Sequence, residues 1–520
     1  MIGHCLPGKK VILAFLFLLA IFPLLLSADM HKPLDHDEHQ FVAGGVLLAD
    51  RLLLPYRDYP YFHMPNLTLL YAALFAGTDY HLLAARLFST LCAWLTVGVV
   101  FFLTLRLFPR LPEPLRFLVA AGSALLLLAN PLFTYTSGKA WNHDLPVLLT
   151  LLAFAVHSRV ARQEGGKRWA FLSGLLVGLA AGTRLSFALA AIPFGGTLLL
   201  FPSDTRQKRS ALVGAWAVGV LLALVPSLLL WALAPRQFLF DNLDYARYNT
   251  LYRREVGFAA GDVSAIAMTF AGKLSYLARY VISAPGNLLL LFSFLFFALT
   301  MNIPNRWQGP CRQELILLWL LVPFLLAGSF APTPAFFQYF YAPVPFLLLG
   351  GVYGVANLQE QQAKMKWSLV LLAHVVVMAG AYGLKSYESV KDLLRIEGWL
   401  PVQAHQVGVE IGATVGQGRV LTLAPLFPLE GRAQIYEQFA TGAFAWRVAP
   451  LVPEQDRQRV EILSADDLAD LLHARPPDGI LVGYEGELEQ PFLEYAQANG
   501  YRPLPLANGT VLWLPPQPGE

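Results

Sequence analysis

Apolar runs long enough to cross a bilayer recur along this chain, and no other feature restricts its fold so tightly. A hydrocarbon core takes roughly 17–25 residues of helix, and every backbone amide inside it must be satisfied within the chain. Such runs, bounded by charge or by Pro and Gly, lie near 11–28, 80–105, 116–130, 145–160, 169–183, 186–201, 211–234, 275–300, 314–331, 338–357 and 367–384. They predict a polytopic α-helical membrane protein of about eleven transmembrane helices. The composition agrees, with 56% hydrophobic and only 14% charged residues. A mean hydropathy of +0.50 lies well above that of a soluble enzyme. The net charge of +3 is small and scattered among loops, so nothing points to a nucleic-acid partner.

Lys9 and Lys10 precede the first run, as in a signal peptide, but "LLSADM" makes a poor cleavage site. A retained anchor is therefore expected. The 12-residue run 66–77, "NLTLLYAALFAG", is too short to cross and suits a helix lying in the interface. With the amino terminus inside, the inner segments "GKK", "RLFPRLPEPLR", "SRVARQEGGKR", "SDTRQKR", "NRWQGPCR" and "AKMK" are all basic. That alternation fits the positive-inside rule and puts the carboxyl terminus outside. Cys5, Cys92 and Cys311 are too dispersed for a disulfide framework or a thiolate metal site.

From about residue 386 apolar runs shorten and charges return, which divides the chain into a membrane domain, 1–385, and a small α/β domain, 386–520. "RVLTLAPL" and "GILVGYEG" read as strands, and "YRPLPLANGTVLWLP" as a hairpin turning at Asn508–Gly509. "SADDLADLLHAR" reads as a helix capped by Ser464, and "ELEQPFLEYAQANG" as a helix ended by Gly500. No Gly-rich phosphate loop or catalytic triad stands out there, so a lid or partner-binding module is the plainer expectation.

Charge gathers instead in "LDHDEHQF", just past the first run, where Asp35, Asp37 and Glu38 fall within four positions. Closely spaced carboxylates repel, which raises a pKa or invites a cation, and one held at the edge of a dry cavity can act as a general base. The structural reading is a helix N-cap, because acids favour the first turn. The two are compatible.

The stretch "LDHDEHQFVAGGVLLADRLLLPYRDYPYFHMPNLTLLYAALF" resembles the first outer loop of GT-C membrane glycosyltransferases. The resemblance is to the protein O-mannosyltransferase, aminoarabinose transferase and Rgt types, glycosyltransferase family 39 and its neighbours. Asp37–Glu38 stands at the family's acidic pair, Pro55-Tyr56-Arg57-Asp58 at its "PY-D" stretch, and His63-Met64-Pro65 at its His/Lys-Pro-Pro element. Met64 occupies a position where Pro is usual. "NHDLPVLLTLLAFAVHSR" and "GLLVGLAAGTR" continue the likeness with Asp144 and Arg184, and "FFQYFYAPVPFLLL" resembles a late span in which Gln338 replaces a basic residue.

The resemblance implies a GT-C fold, a polyprenyl-phosphate sugar as donor, inversion at the anomeric carbon, and Asp37 as the base. The acceptor, a glycan, lipid or protein, lies outside a bacterial inner membrane. Glu38 is expected to assist catalysis; Asp144, His143, Asp58 and His63 are expected to orient the acceptor or to support a cation. Asp37 and Asp144 are the candidates for a divalent-cation site, the one cofactor expected. Lys139, Arg184, Arg247, Arg253 and Arg254 are candidates for the donor phosphate, since a departing lipid phosphate needs positive donors. Tyr56, Tyr59, Tyr61 and Phe62 are available to stack on sugar faces or to serve as an interfacial belt. The competing classes are a lipid flippase or transporter, and a non-catalytic assembly protein acting through 386–520. The first predicts mid-span charges and duplicated, broken helices.

Overall fold

A helix must be both long and apolar to cross a bilayer unaided. In the computed structural model, which describes residues 8–162, 166–200, 206–259, 261–300, 311–356, 358, 361–378 and 387–516, five helices meet both conditions. They are Ile12–Met30, His81–Leu107, Asp144–Ala161, Gln313–Phe330 and Phe337–Ala356. Two bent pairs raise the number of candidate spans to seven: Gln207–Ala223 with Val225–Leu233, bent by 48°, and Phe270–Ile282 with Pro285–Phe296, bent by 107°. Eleven straight spans are therefore not what the described residues contain. The expected span 275–300 is two segments, because Pro285 lacks an N–H and begins a new helix. Several other runs become shorter helices, such as Glu113–Leu128 (16 residues) and Leu185–Leu200.

Between α1 (Gly8–Met30) and the next long helix, α4 (His81–Leu107), two short helices fold onto one end of the bundle. These are α2 (His36–Arg51) and α3 (Asn66–Phe75), the latter at the run expected to lie in the interface. Gly45 allows their close approach: a Cβ there would fall 2.6 Å from the Phe75 ring and 2.8 Å from Tyr71. The loop joining them buries Tyr56, Tyr59 and Tyr61 in the core, and Phe62 stacks on Tyr245 at 3.8 Å. These aromatics are buried packing residues, where the sequence left open a sugar-stacking face or an interfacial belt.

Two ion clusters tie the bundle. At the α2 end, Arg86 is fully buried and grips Glu38. At the other end Glu314 takes Arg162 (Nη2 to Oε2, 3.1 Å) and lies 3.5 Å from Arg106, which joins three helices. Inside a membrane protein such charges persist only when paired.

The C-terminal residues form a five-stranded mixed sheet in the order β2-β1-β3-β5-β4. Its strands are β1 (Arg419–Leu421), β2 (Gln434–Ile435), β3 (Gly479–Val482), β4 (Arg502–Pro505) and β5 (Val511–Leu514). β1 pairs in parallel with β2 and β3, whereas β5 is antiparallel to β3 and β4. The hairpin turns at Asn508–Gly509, with Gly509 at φ 84°. Ser464 and Asp467 form the expected capping box. "RVLTLAPL" is strand only to Leu421, and Leu426–Glu430 turns helical. The expected boundary at 385–386 lies outside the described residues, as does Cys5.

The sheet domain rests on the α2 end of the bundle. Glu430 accepts from the Leu82 amide at 2.6 Å, which caps α4, and its other oxygen lies 2.8 Å from His405. Arg432 pairs with Asp79 (2.5 Å), and the Leu426 amide donates to His39 at 3.3 Å.

Candidate active site

The acidic stretch folds as a capped helix start. Asp35 is the N-cap of α2: its carboxylate accepts the Asp37 amide at 3.2 Å, while its own amide donates to Glu38 Oε2 at 3.0 Å. Lys139 pairs with Asp35 at 2.8 Å and lies over the Tyr135 and Trp141 rings. Burial works to raise the Asp35 pKa, but the Lys139 charge prevails and holds it below the usual carboxylate range. Lys139 is thus engaged by an acid rather than held free for a phosphate.

Glu38 is the anchor. Arg86 donates to it twice, Nε to Oε1 at 2.8 Å and Nη2 to Oε2 at 2.6 Å, and the Ala140 amide adds a third bond at 2.7 Å. Both side chains are wholly buried. The remaining Arg86 donors reach the carbonyls of Asp29, Lys32 and Pro33. A carboxylate so saturated has no lone pair facing a substrate, so Glu38 fixes the helix start instead of accepting a proton. Sequence reasoning missed Arg86, although a lone arginine inside an apolar run is itself a signal that a buried acid awaits it.

Asp37 is left as the one acid of the stretch without an ion pair. It is half-buried, and the Gln40 amide group donates to it at 3.3 Å. Its carboxyl is pushed up to about 6 by burial first and then by the Asp35 charge, against the pull of His36, Arg447 and Arg184. His36 lies 3.5 Å from Glu485 of the sheet domain, a carboxylate that raises the His36 pKa.

Arg184, one of the charges that act on Asp37, is held in extended backbone between the helix Lys167–Thr183 and the next turn. Its Nη1 donates to Asn142 Oδ1 at 3.0 Å and lies 2.8 Å from His143 Nε2; its guanidinium lies 4.8 Å over the Tyr339 ring. Asn142 Nδ2 is 3.3 Å from His63 Nδ1, and His63 stacks on Phe41 at 4.7 Å. His63, Asn142, His143, Arg184 and Tyr339 therefore form one connected cluster. Arg184 has no carboxylate partner among the described residues.

A second cluster joins the helix Tyr245–Glu255 to the sheet domain's short helix Ala443–Val448. Arg447 Nη2 donates to Asn249 Oδ1 at 2.8 Å and to Tyr245 Oη at 3.2 Å. Arg253 lies over Tyr252 and Phe258 at 5.7 and 5.1 Å. Arg247 and Arg254 are exposed on the same helix and make no described ion pair. Arg447 carried no motif in the sequence; its place follows only from the docking of the sheet.

Two expected members stand apart. Asp144 is buried and accepts from the Gly138 amide at 2.8 Å and Tyr341 at 3.4 Å. Gly138, at φ 74°, packs so tightly that a Cβ would fall 1.9 Å from the Asp29 carboxyl carbon. Asp144 thereby shapes the loop that offers the Ala140 amide to Glu38. Asp58 closes its own turn through the Leu54 amide (2.7 Å) and Arg57 (2.7 Å). Among the described residues no group of three or more His, Cys, Asp or Glu side chains is placed to hold a metal ion.

Residues 63–231 match the model of the dolichyl-phosphate-mannose-protein mannosyltransferase family. The resemblance read from the sequence holds for that stretch. Over the whole chain, the fold is similar to that of ArnT from Cupriavidus metallidurans. The undecaprenyl phosphate-bound structure of that protein superposes with a TM-score of 0.60 at 15% identity over 98% of each chain. Its apo structure gives 0.59 at 15% identity over 97% of each. The apo oligosaccharyltransferase of Archaeoglobus fulgidus gives 0.51 at 11% identity over 97% of this chain and 75% of that one. No curated protein matches by sequence. The chain is a multi-pass helical membrane protein whose fold is similar to that of ArnT.

Proposed function

We propose that the chain is an inverting glycosyltransferase that moves a sugar from a polyprenyl-phosphate donor to an acceptor hydroxyl, with Asp37 as general base. The observation that carries this reading is an acid without an ion pair among the described residues, Asp37, set one helical turn before Phe41, whose ring stacks on His63 of the Arg184 cluster, while Arg184 itself has no carboxylate partner among those residues. The acceptor O–H gives its proton to Asp37 as its oxygen bonds to the anomeric carbon. The bond from that carbon to the phosphate oxygen breaks, and its electron pair leaves with the lipid phosphate. Arg184 and Arg253 are suited to receive that charge, and preorganised donors act most strongly where charge develops. Glu38 and Asp144 hold the loop and helix start that aim Asp37. The basic loops place the amino terminus in the cytoplasm and the site on the far face of a bacterial inner membrane. Domain 386–520 then lies outside the cytoplasm, beside the cleft.

Two outcomes follow. Arg184→Gln should weaken binding of polyprenyl phosphate by about tenfold or more, as expected when a charge-assisted contact is lost; unchanged affinity in a binding titration would remove Arg184 from the donor site. Because a base must be ionised, kcat/KM should fall tenfold per pH unit below an apparent pKa near the value of about 6 held by Asp37. A profile flat from pH 5 to 8 would deny Asp37 that role.

A further inference from the structure

We propose that Arg447 of the sheet domain is a ligand of the donor's phosphate, so that this domain completes the donor site instead of serving the acceptor alone. The inference rests on reading the cleft as a polyprenyl-phosphate sugar site.

Its ground is the pair of guanidinium groups gathered around Tyr252. Arg447 and Arg253 each lie 5.7 Å from the centroid of the same Tyr252 ring. Neither has a carboxylate partner among the described residues, and each keeps a buried Nε without a hydrogen-bond acceptor there. A buried unsatisfied donor costs free energy, and two like charges held close cost more. Burial first, and the Arg447 charge next, lower the Arg253 pKa. The bonds from Arg447 to Tyr245 and Asn249 both come from Nη2, so docking the domain uses one corner of the fork. An oxyanion reached by both groups would offset these costs, and phosphate oxygens suit guanidinium forks.

The reaction chemistry sharpens the assignment. The donor phosphodiester carries one negative charge, and the departing phosphate monoester carries up to two. Arginines beyond Arg184 therefore gain interaction as the anomeric C–O bond breaks, which favours the transition state over bound donor. Arg447 should bind polyprenyl phosphate more tightly than it binds the sugar-charged donor.

The test uses the full chain in nanodiscs of phosphatidylglycerol and phosphatidylcholine. Polyprenyl phosphate and a polyprenyl-phosphate sugar are titrated against wild type, Arg447→Gln and Arg184→Gln. The expected result is an about tenfold or greater loss of polyprenyl phosphate affinity in Arg447→Gln, with a smaller loss for the sugar-charged donor. In the wild type, saturating polyprenyl phosphate should also protect Arg447 from phenylglyoxal, read by peptide mass spectrometry, a measurement that no folding defect can disturb. Undiminished affinity in Arg447→Gln beside weakened Arg184→Gln, or free modification of Arg447 at saturation, would overturn the assignment while leaving the glycosyltransferase reading in place. A wild type that binds polyprenyl phosphate no better than phosphatidylglycerol would overturn both.

Discussion

Replacing Asp37 by Asn should abolish sugar transfer, lowering kcat by about 10²–10⁴-fold, the span associated with losing a general base. Donor affinity should hold or rise, because the substitution removes a negative charge from the neighbourhood of a bound anion. The side chain keeps its size, and Gln40 can still contact it. Stability should move the other way. Asp37 holds a proton more readily in the folded chain, up to about 6, than in the unfolded chain. Its charge therefore opposes folding above that pH, and stability should rise as pH falls from there toward about 4, the ordinary carboxylate value. Asparagine removes that penalty, so the variant should melt at a higher temperature than wild type at pH 7. Lower activity with higher stability is the signature of a strained functional group. A variant that is inactive because it is unfolded would show the reverse in a detergent-solubilised melt.

Glu38→Gln carries the second large effect, and here stability and activity fall together. The amide cannot balance the Arg86 charge, which stays buried beside the carbonyls of Asp29, Lys32 and Pro33. Removing one partner of a buried ion pair costs about 3–5 kcal/mol, because the other charge is left uncompensated. The Ala140 amide and the Asp35 amide also lose a charged acceptor. The start of α2 should loosen, and with it the aim of Asp37. Adding Arg86→Met to Glu38→Met should recover much of the melting temperature, since an apolar pair of similar volume leaves no buried charge. If Glu38→Gln melts within about 0.5 kcal/mol of wild type, the ordinary range of surface substitutions, the anchor does not hold this end of the chain together.

Much of this was legible because membrane burial writes itself into local sequence. The lengths of the runs at 80–105, 145–160, 314–331 and 338–357 gave spans, since each helix satisfies its own backbone. The capping pattern of "LDHDEHQF" gave the start of α2, and Ser464 and Asn508–Gly509 gave elements of the sheet domain by the same short-range chemistry. Long-range pairing was not legible. Arg86 grips Glu38 across 48 positions, and Arg447 reaches Tyr245 across 202. No periodicity records such partners. The aromatics of the 55–62 loop show the same limit, because an interfacial belt, a sugar platform and a packed core all call for tyrosine. The break near Pro285 was marked in the sequence by "SAPGN", yet the apolar run on both sides of it outweighed the breaker.

The central claim is transfer from a lipid phosphate, and the most direct measurement offers the purified chain in nanodiscs a panel of polyprenyl-phosphate sugars. Membrane extract supplies acceptors, and release of polyprenyl phosphate is followed by mass spectrometry. The geometry predicts that one donor is converted to polyprenyl phosphate by the wild type and is left intact by Asp37→Asn. Conversion at equal rates by both proteins, or no conversion of any donor with the extract present, would contradict it.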